Sequence, residues 1–225
     1  MITNILIDVD NTLLDFNKCA EEAIKIGFSK WNIEYCETVF PVFLEINDNL
    51  WQKIETGEID KKTLYRLRWK TIFEKLGIQA DGPAFEQDFR NIFSDSKEPV
   101  DGAYDILDYL SEKYTVSVAS NASYQQQLKR LNNADMMKYF SNIFNSEQIG
   151  YPKPEPSFFD ACFEKLGNIP KEEVMIIGDS LSADINGGSS YGIKTLWFNY
   201  NKIAVPNNVK ADFIVYSLDE IKNIL

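Results

Sequence analysis

The sequence predicts an α/β protein: a doubly wound parallel sheet interrupted by an inserted block of four helices. Three observations point there. After Pro99, short continuously apolar segments alternate with amphipathic helical stretches, as in a parallel sheet covered on both faces. A first apolar segment, residues 2–8, stops at the acidic run DVDNTLLD (8–15). Between these two regions, from Asn17 to about Ser96, the chain shows only helical periodicity.

Taken in order, ITNILID (2–8) reads as a buried first strand followed by a loop. Apolar residues spaced by three and four then predict helices at about 17–32, 39–56, 61–77 and 82–94, separated by Tyr35 to Glu37, by Gly57 to Asp60 and by Gly77 to Gly82. Beyond Pro99 the reading is helix 102–113, strand 114–120, helix 124–137, a short strand at 142–144 and helix 156–166. Strand 174–180, helix 182–191, strands 194–198 and 212–217 and a closing helix 218–224 complete it. The expected domains are a core of residues 1–16 with 97–225 and a helical cap of 17–96, with hinges near 15–17 and 95–99. Ligands of open α/β sheets bind outside the carboxyl ends of the strands, so an insertion placed after the first strand is expected to act as a lid.

Composition narrows the chemistry. The 225 residues include no histidine, which excludes Ser/His/Asp and Cys/His nucleophilic sites and His-based zinc or iron centres. Proton transfer then falls to carboxylates, Lys, Tyr or Cys. A net charge of −11 repels nucleic-acid polymers and anionic membranes, which leaves small molecules, cations or proteins as partners. The three cysteines, Cys19, Cys36 and Cys162, show no CxxC spacing and read as structural thiols. The apolar start is too short for a signal peptide and no stretch is long enough to span a bilayer, so the expectation is a cytoplasmic protein, monomeric or weakly dimeric.

Four polar clusters fall directly after an expected strand or at a helix start. Asp8 and Asp10 flank Val9 at the end of the first strand. Ser120 and Asn121 follow YTVSVA and precede a helix, where hydroxyl, amide and free N–H groups suit an anion. Lys153 lies between Pro152 and Pro154, which restrict its backbone ahead of a helix. In GDSLSAD (178–184), Gly178 lets the chain turn, Asp179 sits at a strand tip and Asp184 in the first turn beyond. Taken singly, each cluster also reads as ordinary helix capping or a solvated loop. Gathered at a topological switch point, four carboxylates would face one lysine. Like charges about 4 Å apart cost on the order of 4 kcal/mol at an effective dielectric near 20, so a cation or raised pKa values must relieve them. Hard oxygen donors without His or Cys favour Mg²⁺.

In this order the clusters resemble the four motifs of the haloacid dehalogenase-like hydrolase superfamily: DVDNT for DxDxT, Ser120 for the second motif, Lys153 for the third and GDSLSAD for GDxxxxD. The likeness covers nearly the whole chain, including a cap of the kind called type one on a Rossmann-like core. It implies a phosphatase in which Asp8 forms an aspartyl-phosphate and Asp10 serves as acid and base. It implies Mg²⁺ held by Asp8, the Asp10 backbone carbonyl and Asp179. Ser120, Asn121 and Lys153 would hold phosphoryl oxygens, Thr12 would order the loop and Asp184 would orient the metal's waters or Lys153. Within the superfamily, INDNLWQKIETGEI (46–59), GYPKPEPSFF (150–159) and GDSLSADINGGSSYGIKTLWFN (178–199) are most similar to bacterial pyrimidine 5′-nucleotidases, implying nucleoside 5′-monophosphates as substrates. Asn11 stands where relatives often have Gly or Asp.

Asp10 argues against a 2-haloacid dehalogenase, which generally lacks the second acid. A phosphoglycolate or sugar-phosphate phosphatase is the alternative substrate reading. A non-catalytic acidic binding protein would be expected to lack motif residues that are present here. In the cap, Asn47, Asn49 and Trp51 offer amides and an aromatic face suited to a nucleobase, although Trp51 also fits a cap core.

Overall fold

The computed structural model describes residues 1–207 and 209–225. Six strands, β1 (Asn4–Ile7), β2 (Thr115–Ser120), β3 (Asn142–Asn145), β4 (Val174–Gly178), β5 (Lys194–Phe198) and β6 (Phe213–Val215), form one sheet. The order is β3-β2-β1-β4-β5-β6 and every pairing is parallel. β1 therefore lies between β2 and β4, with Ile5 opposite Val116 on one side and Met175 on the other. Chain direction reverses its winding there, which brings the carboxyl ends of β1, β2 and β4 side by side.

Alternation along β1 feeds two apolar layers. Ile5 and Ile7 pack with Val116, Val118, Leu107, Leu110 and Leu131 on one face, while Leu6 joins Phe158, Phe159, Cys162 and Ile176 on the other. Ile5, Leu6 and Ile7 are fully buried, and each such side chain stabilises the fold by about 1.5–3 kcal/mol. The first layer carries α5 (Ala103–Lys113) and α6 (Tyr124–Asn133), and the second carries α8 (Pro156–Lys165). The chain divides into two compact units, 1–16 with 97–225 and 17–96.

The second unit holds α1 (Phe16–Lys30, entered from the first), α2 (Val39–Glu55), α3 (Lys61–Leu76) and α4 (Gly82–Phe93). Local chemistry sets their limits. Asp60 and Asp81 accept hydrogen bonds from the backbone N–H groups of Thr63 (2.8 Å) and Ala84 (3.0 Å), capping α3 and α4. Trp69 is the centre of the core, with ring centroids of Phe28, Phe43, Phe73, Phe85 and Phe89 at 5.9, 5.7, 5.4, 4.5 and 5.4 Å. Gly82 is required by proximity, since a Cβ there would lie 2.4 Å from the Lys70 backbone nitrogen. One buried ion pair sits among the rings. Arg68 donates from Nε (3.0 Å) and Nη2 (2.6 Å) to Glu86, and from Nη1 to the Asn47 side chain (2.9 Å).

Several boundaries differ from the sequence reading. The helix expected over 124–137 ends at Asn133, because Asp135 takes a left-handed backbone (φ 52°) before a single turn at Met137–Tyr139. The helix expected over 182–191 is instead a wide π-type turn, Leu181–Asn186, followed by the short α9 (Gly187–Tyr191). The closing helix is a 3₁₀ stretch, Leu218–Asn223. A further helical turn, α7 (Ser146–Ile149), was unforeseen; the Asn145 side chain caps it by accepting from the Glu147 N–H at 2.9 Å. No helix among the described residues is long and apolar enough to cross a membrane.

Candidate active site

Asp8, Ser120 and Asp179 stand at or just past the ends of the central strands, Asp10 and Asp184 in the segments that follow β1 and β4, and Lys153 in the loop between α7 and α8. Asp8 follows β1, and its backbone N–H donates to Ile177 of β4 at 2.9 Å, which extends the sheet by one bond and fixes the carboxylate at its edge. The chain then closes on itself: the Val9 carbonyl accepts from the N–H groups of Thr12, Leu13 and Leu14. Asn11 takes a left-handed conformation (φ 57°), one Asn tolerates better than most residues, at the position where relatives often have Gly or Asp. The loop is held by these backbone bonds. The buried Thr12 hydroxyl has no hydrogen-bond partner among the described residues.

Lys153 is the hub. Its ammonium, 1% exposed for the residue as a whole, donates to Asp8 Oδ1 (2.8 Å), Asp184 Oδ1 (2.6 Å) and the Ala119 carbonyl (2.5 Å). Asn121 clamps the lysine's backbone reciprocally, accepting from its N–H and donating to its carbonyl, both at 2.8 Å. Both functional groups of the Asn121 amide are thus engaged with Lys153. Asp184 reaches Lys153 because the π-type turn folds it back. Its other oxygen accepts from the Ser180 N–H at 3.1 Å, and Ser180 Oγ accepts from the Ala183 N–H at 3.1 Å. Gly178 makes this approach sterically feasible, since a Cβ there would sit 2.1 Å from Asp184 Oδ2. Trp197 on β5 donates to the Asp179 carbonyl at 2.9 Å and so holds the β4 tip.

Asp8, Asp179 and Asp184 each offer an oxygen, and these atoms lie within 4.8 Å of one another. Three carboxylates thus share one lysine. Burial, with Asp184 and Asp10 adding to it against the attraction of Lys153, pushes the Asp8 carboxyl up to about 7. Burial and the charges of Asp8 and Asp184 likewise hold Asp179 well above the usual carboxylate range. Burial alone would depress Lys153, but Asp184 and Asp8 outweigh it and keep the ammonium firmly charged. Uncompensated negative charge on hard oxygen donors is the environment a divalent cation such as Mg²⁺ fits.

The Asp10 carboxylate turns to a different set of partners. It accepts from Arg130 Nη1 (2.5 Å) and Gln127 Nε2 (2.7 Å), both from α6. Gln127 also donates to Ser120 Oγ (3.1 Å), which in turn accepts from the Ala122 N–H at 3.1 Å. Neither Gln127 nor Arg130 was among the sequence candidates. A signal existed: Tyr124, Gln127, Leu128 and Leu131 share the i, i+3, i+4, i+7 face, so Gln127 is a polar residue on a core-facing stripe.

The cap residues distribute differently. Asn47 is buried, its amide oxygen engaged by Arg68 and its amide nitrogen by Asp48 at 3.3 Å. Asn49 is exposed and Trp51 half-buried on α2.

A parallel sheet whose central strands end beside three clustered carboxylates and a buried lysine has the arrangement of a haloacid dehalogenase-like hydrolase. The family model for haloacid dehalogenase-like hydrolases matches residues 2–192, and the chain belongs to that family. It is 32% identical over 222 residues to the HAD-hydrolase YfnB of Bacillus subtilis (strain 168), covering 98% of this chain and 94% of that one. To the pyrimidine 5′-nucleotidase PynA of Streptococcus pneumoniae it is 30% identical over 227 residues, covering 98% and 96%. The crystal structure of YfnB bound to magnesium superposes with a TM-score of 0.94 at 30% identity, covering 100% of this chain and 98% of that one.

Proposed function

We propose that this chain is a Mg²⁺-dependent phosphomonoester hydrolase acting through an aspartyl-phosphate on Asp8, with pyrimidine nucleoside 5′-monophosphates as substrates. The observation that carries the reading is the buried Lys153, bonded to Asp8 and Asp184 in a site with more carboxylate than its own cation balances. Asp8 and Asp179, with the Asp10 carbonyl, would hold the metal, and Asp184 would orient its waters and Lys153. When bound, Mg²⁺ supplies positive charge that offsets the phosphate's and brings Asp8 to its ionised, nucleophilic form.

In the first step an Asp8 carboxylate oxygen bonds to phosphorus. The ester P–O bond breaks, its electron pair passes to the leaving oxygen, and that oxygen takes the proton of Asp10. In the second step the Asp10 carboxylate takes a proton from water, the water oxygen bonds to phosphorus and the Asp8–phosphate bond breaks. Inorganic phosphate leaves, and Asp8 and Asp10 return to their starting forms. Lys153 and Ser120 steady the phosphoryl oxygens, the buried Thr12 hydroxyl is a third donor, and Asn121 contributes by fixing Lys153. The substrate class rests on the likeness to PynA across nearly the whole chain.

Phosphate release across UMP, dUMP, dTMP, sugar phosphates and phosphoglycolate, with Mg²⁺ and with chelator, tests this. The expected result is hydrolysis of the pyrimidine monophosphates that stops with chelator and is absent in Asp8→Asn. Activity that survives chelation overturns the metal assignment, activity that survives Asp8→Asn overturns the nucleophile, and preference for phosphoglycolate overturns the substrate. Asn49→Ala and Trp51→Ala then report whether α2 discriminates among nucleobases.

A further inference from the structure

Arg130 and Gln127 are fully buried, three residues or about one turn apart on α6, and both donate to the carboxylate of Asp10. Arg130 Nη1 also donates to Gln127 Oε1 at 3.0 Å, so the guanidinium braces the amide that reaches Asp10 and Ser120 together. Arg130 and Gln127 lie in a buried layer where an idle Arg would be costly, and Leu131 beside them belongs to the apolar core. The loop bearing Asp10 is tied to its own backbone through Val9, and the grip from α6 fixes its side chain from outside.

We propose that Arg130, acting with Gln127, is a positioning residue for Asp10: it holds the carboxyl group in the orientation from which the proton reaches the leaving oxygen. The inference goes beyond the phosphatase reading and rests on it. Two donors on two different oxygens leave the Asp10 carboxyl little rotational freedom, and a misplacement of about 1 Å in such a group can cost on the order of 10²-fold in rate. The guanidinium also faces the negative charge Asp10 acquires as its proton departs to the leaving oxygen. No atom of Arg130 is required to touch phosphate. Its effect must therefore scale with how much the leaving group needs a proton, which separates it from a residue that merely supports the fold.

The experiment compares kcat/KM for the best alkyl phosphomonoester, a nucleoside monophosphate in the proposed reading, with that for p-nitrophenyl phosphate, whose leaving group departs without a proton. Wild type, Arg130→Met, Asp10→Asn and the double variant are measured with Mg²⁺, and circular dichroism checks the fold. Arg130→Met should lose about 30- to 100-fold on the alkyl ester through kcat, less than about threefold on the aryl ester, and add less than about twofold in the Asp10→Asn background. Equal losses on both esters, or a full loss added to Asp10→Asn, would overturn the proposal. If Arg130→Met does not fold, Arg130→Lys and Gln127→Leu carry the same comparison and the same two outcomes decide. Wild-type hydrolysis of both esters, with ester discrimination in Asp10→Asn, upholds the phosphatase reading whatever Arg130 does. Their absence sinks that reading and this one with it.

Discussion

Arg68 in the helical unit and Lys153 in the α/β unit are both buried cations, and their charges are handled in opposite ways; Arg130, also buried in the α/β unit, pairs with Asp10. In the helical unit Arg68 meets one carboxylate, Glu86, through two hydrogen bonds, and an amide, Asn47, takes a third donor. Charge balances, and the rings of Phe43 and Phe89 cover the guanidinium at 5.7 and 5.0 Å. In the α/β unit Lys153 contacts Asp8 and Asp184 beside Asp179, so charge does not balance. A balanced buried pair fixes how helices pack. An unbalanced one raises carboxyl pKa values and creates demand for a cation, which is how a site can be told from a structural ion pair.

Breaking the balanced pair should give the largest effect. Glu86→Ala leaves Arg68 buried without its carboxylate and is expected to destabilise the helical unit by about 3–5 kcal/mol in denaturant titrations followed by tryptophan fluorescence. Arg68→Met with Glu86→Leu should recover most of that loss, and a single variant as costly as the pair would contradict the balance. Lys153→Met removes the sole cation of the unbalanced set. It is expected to lower kcat/KM on phosphomonoesters by about 10²–10³-fold, equivalent to roughly 3–4 kcal/mol.

Supplying the missing charge is the converse test. At about 100 times its dissociation constant Mg²⁺ should stabilise the fold by about 2.7 kcal/mol, raising the melting temperature by roughly 5–10 °C, a gain abolished by chelator. The same melt in Asp184→Asn or Asp179→Asn should show a smaller gain. Gly178→Ala disturbs geometry rather than charge: its Cβ would fall 2.1 Å from Asp184 Oδ2, so Asp184 must move. A cost of about 1–3 kcal/mol in stability together with weaker Mg²⁺ binding by calorimetry is expected, and unchanged binding would show that Asp184 is dispensable to the metal.

A surface pair completes the series. Asp212, 28% exposed in its side chain, accepts from Lys194 and Thr195. Burial pushes it up, but those two partners outweigh burial and hold it below the usual carboxylate range. A lowered folded-state pKa gives stability that is present above the unfolded value and lost as pH falls through the folded one. Asp212→Asn should cost only about 0.2–1 kcal/mol at neutral pH, and the gap to wild type should close in acid.

Much of this was legible from residues alone. The central strands are continuous apolar runs, and the loops Gly57 to Asp60 and Gly77 to Gly82 mark where α3 and α4 begin. Asp8 and Asp179 stand out at strand ends, Asp184 in the turn after one and Lys153 between two prolines ahead of a helix, and the structure brings all four into one cluster. The split of 182–191 into a wide turn and a short helix was not legible, because helical periodicity does not register that Asp184 must lie against Gly178. Arg130 and Gln127 escaped for a related reason: sequence shows that α6 has a core-facing stripe, but not that Asp10 stands opposite it.

The sequence by itself determined most of the strands and helices, the order of the motifs and the absence of imidazole, because periodicity, turn residues and composition are local properties. Only the tertiary structure decided which side chains share a proton or a charge. Asp10 and Arg130 are 120 residues apart, and Asp8 and Lys153 are 145 apart. Bonds over such separations depend on strand order and on which helix covers which face, and those follow from packing the whole sheet.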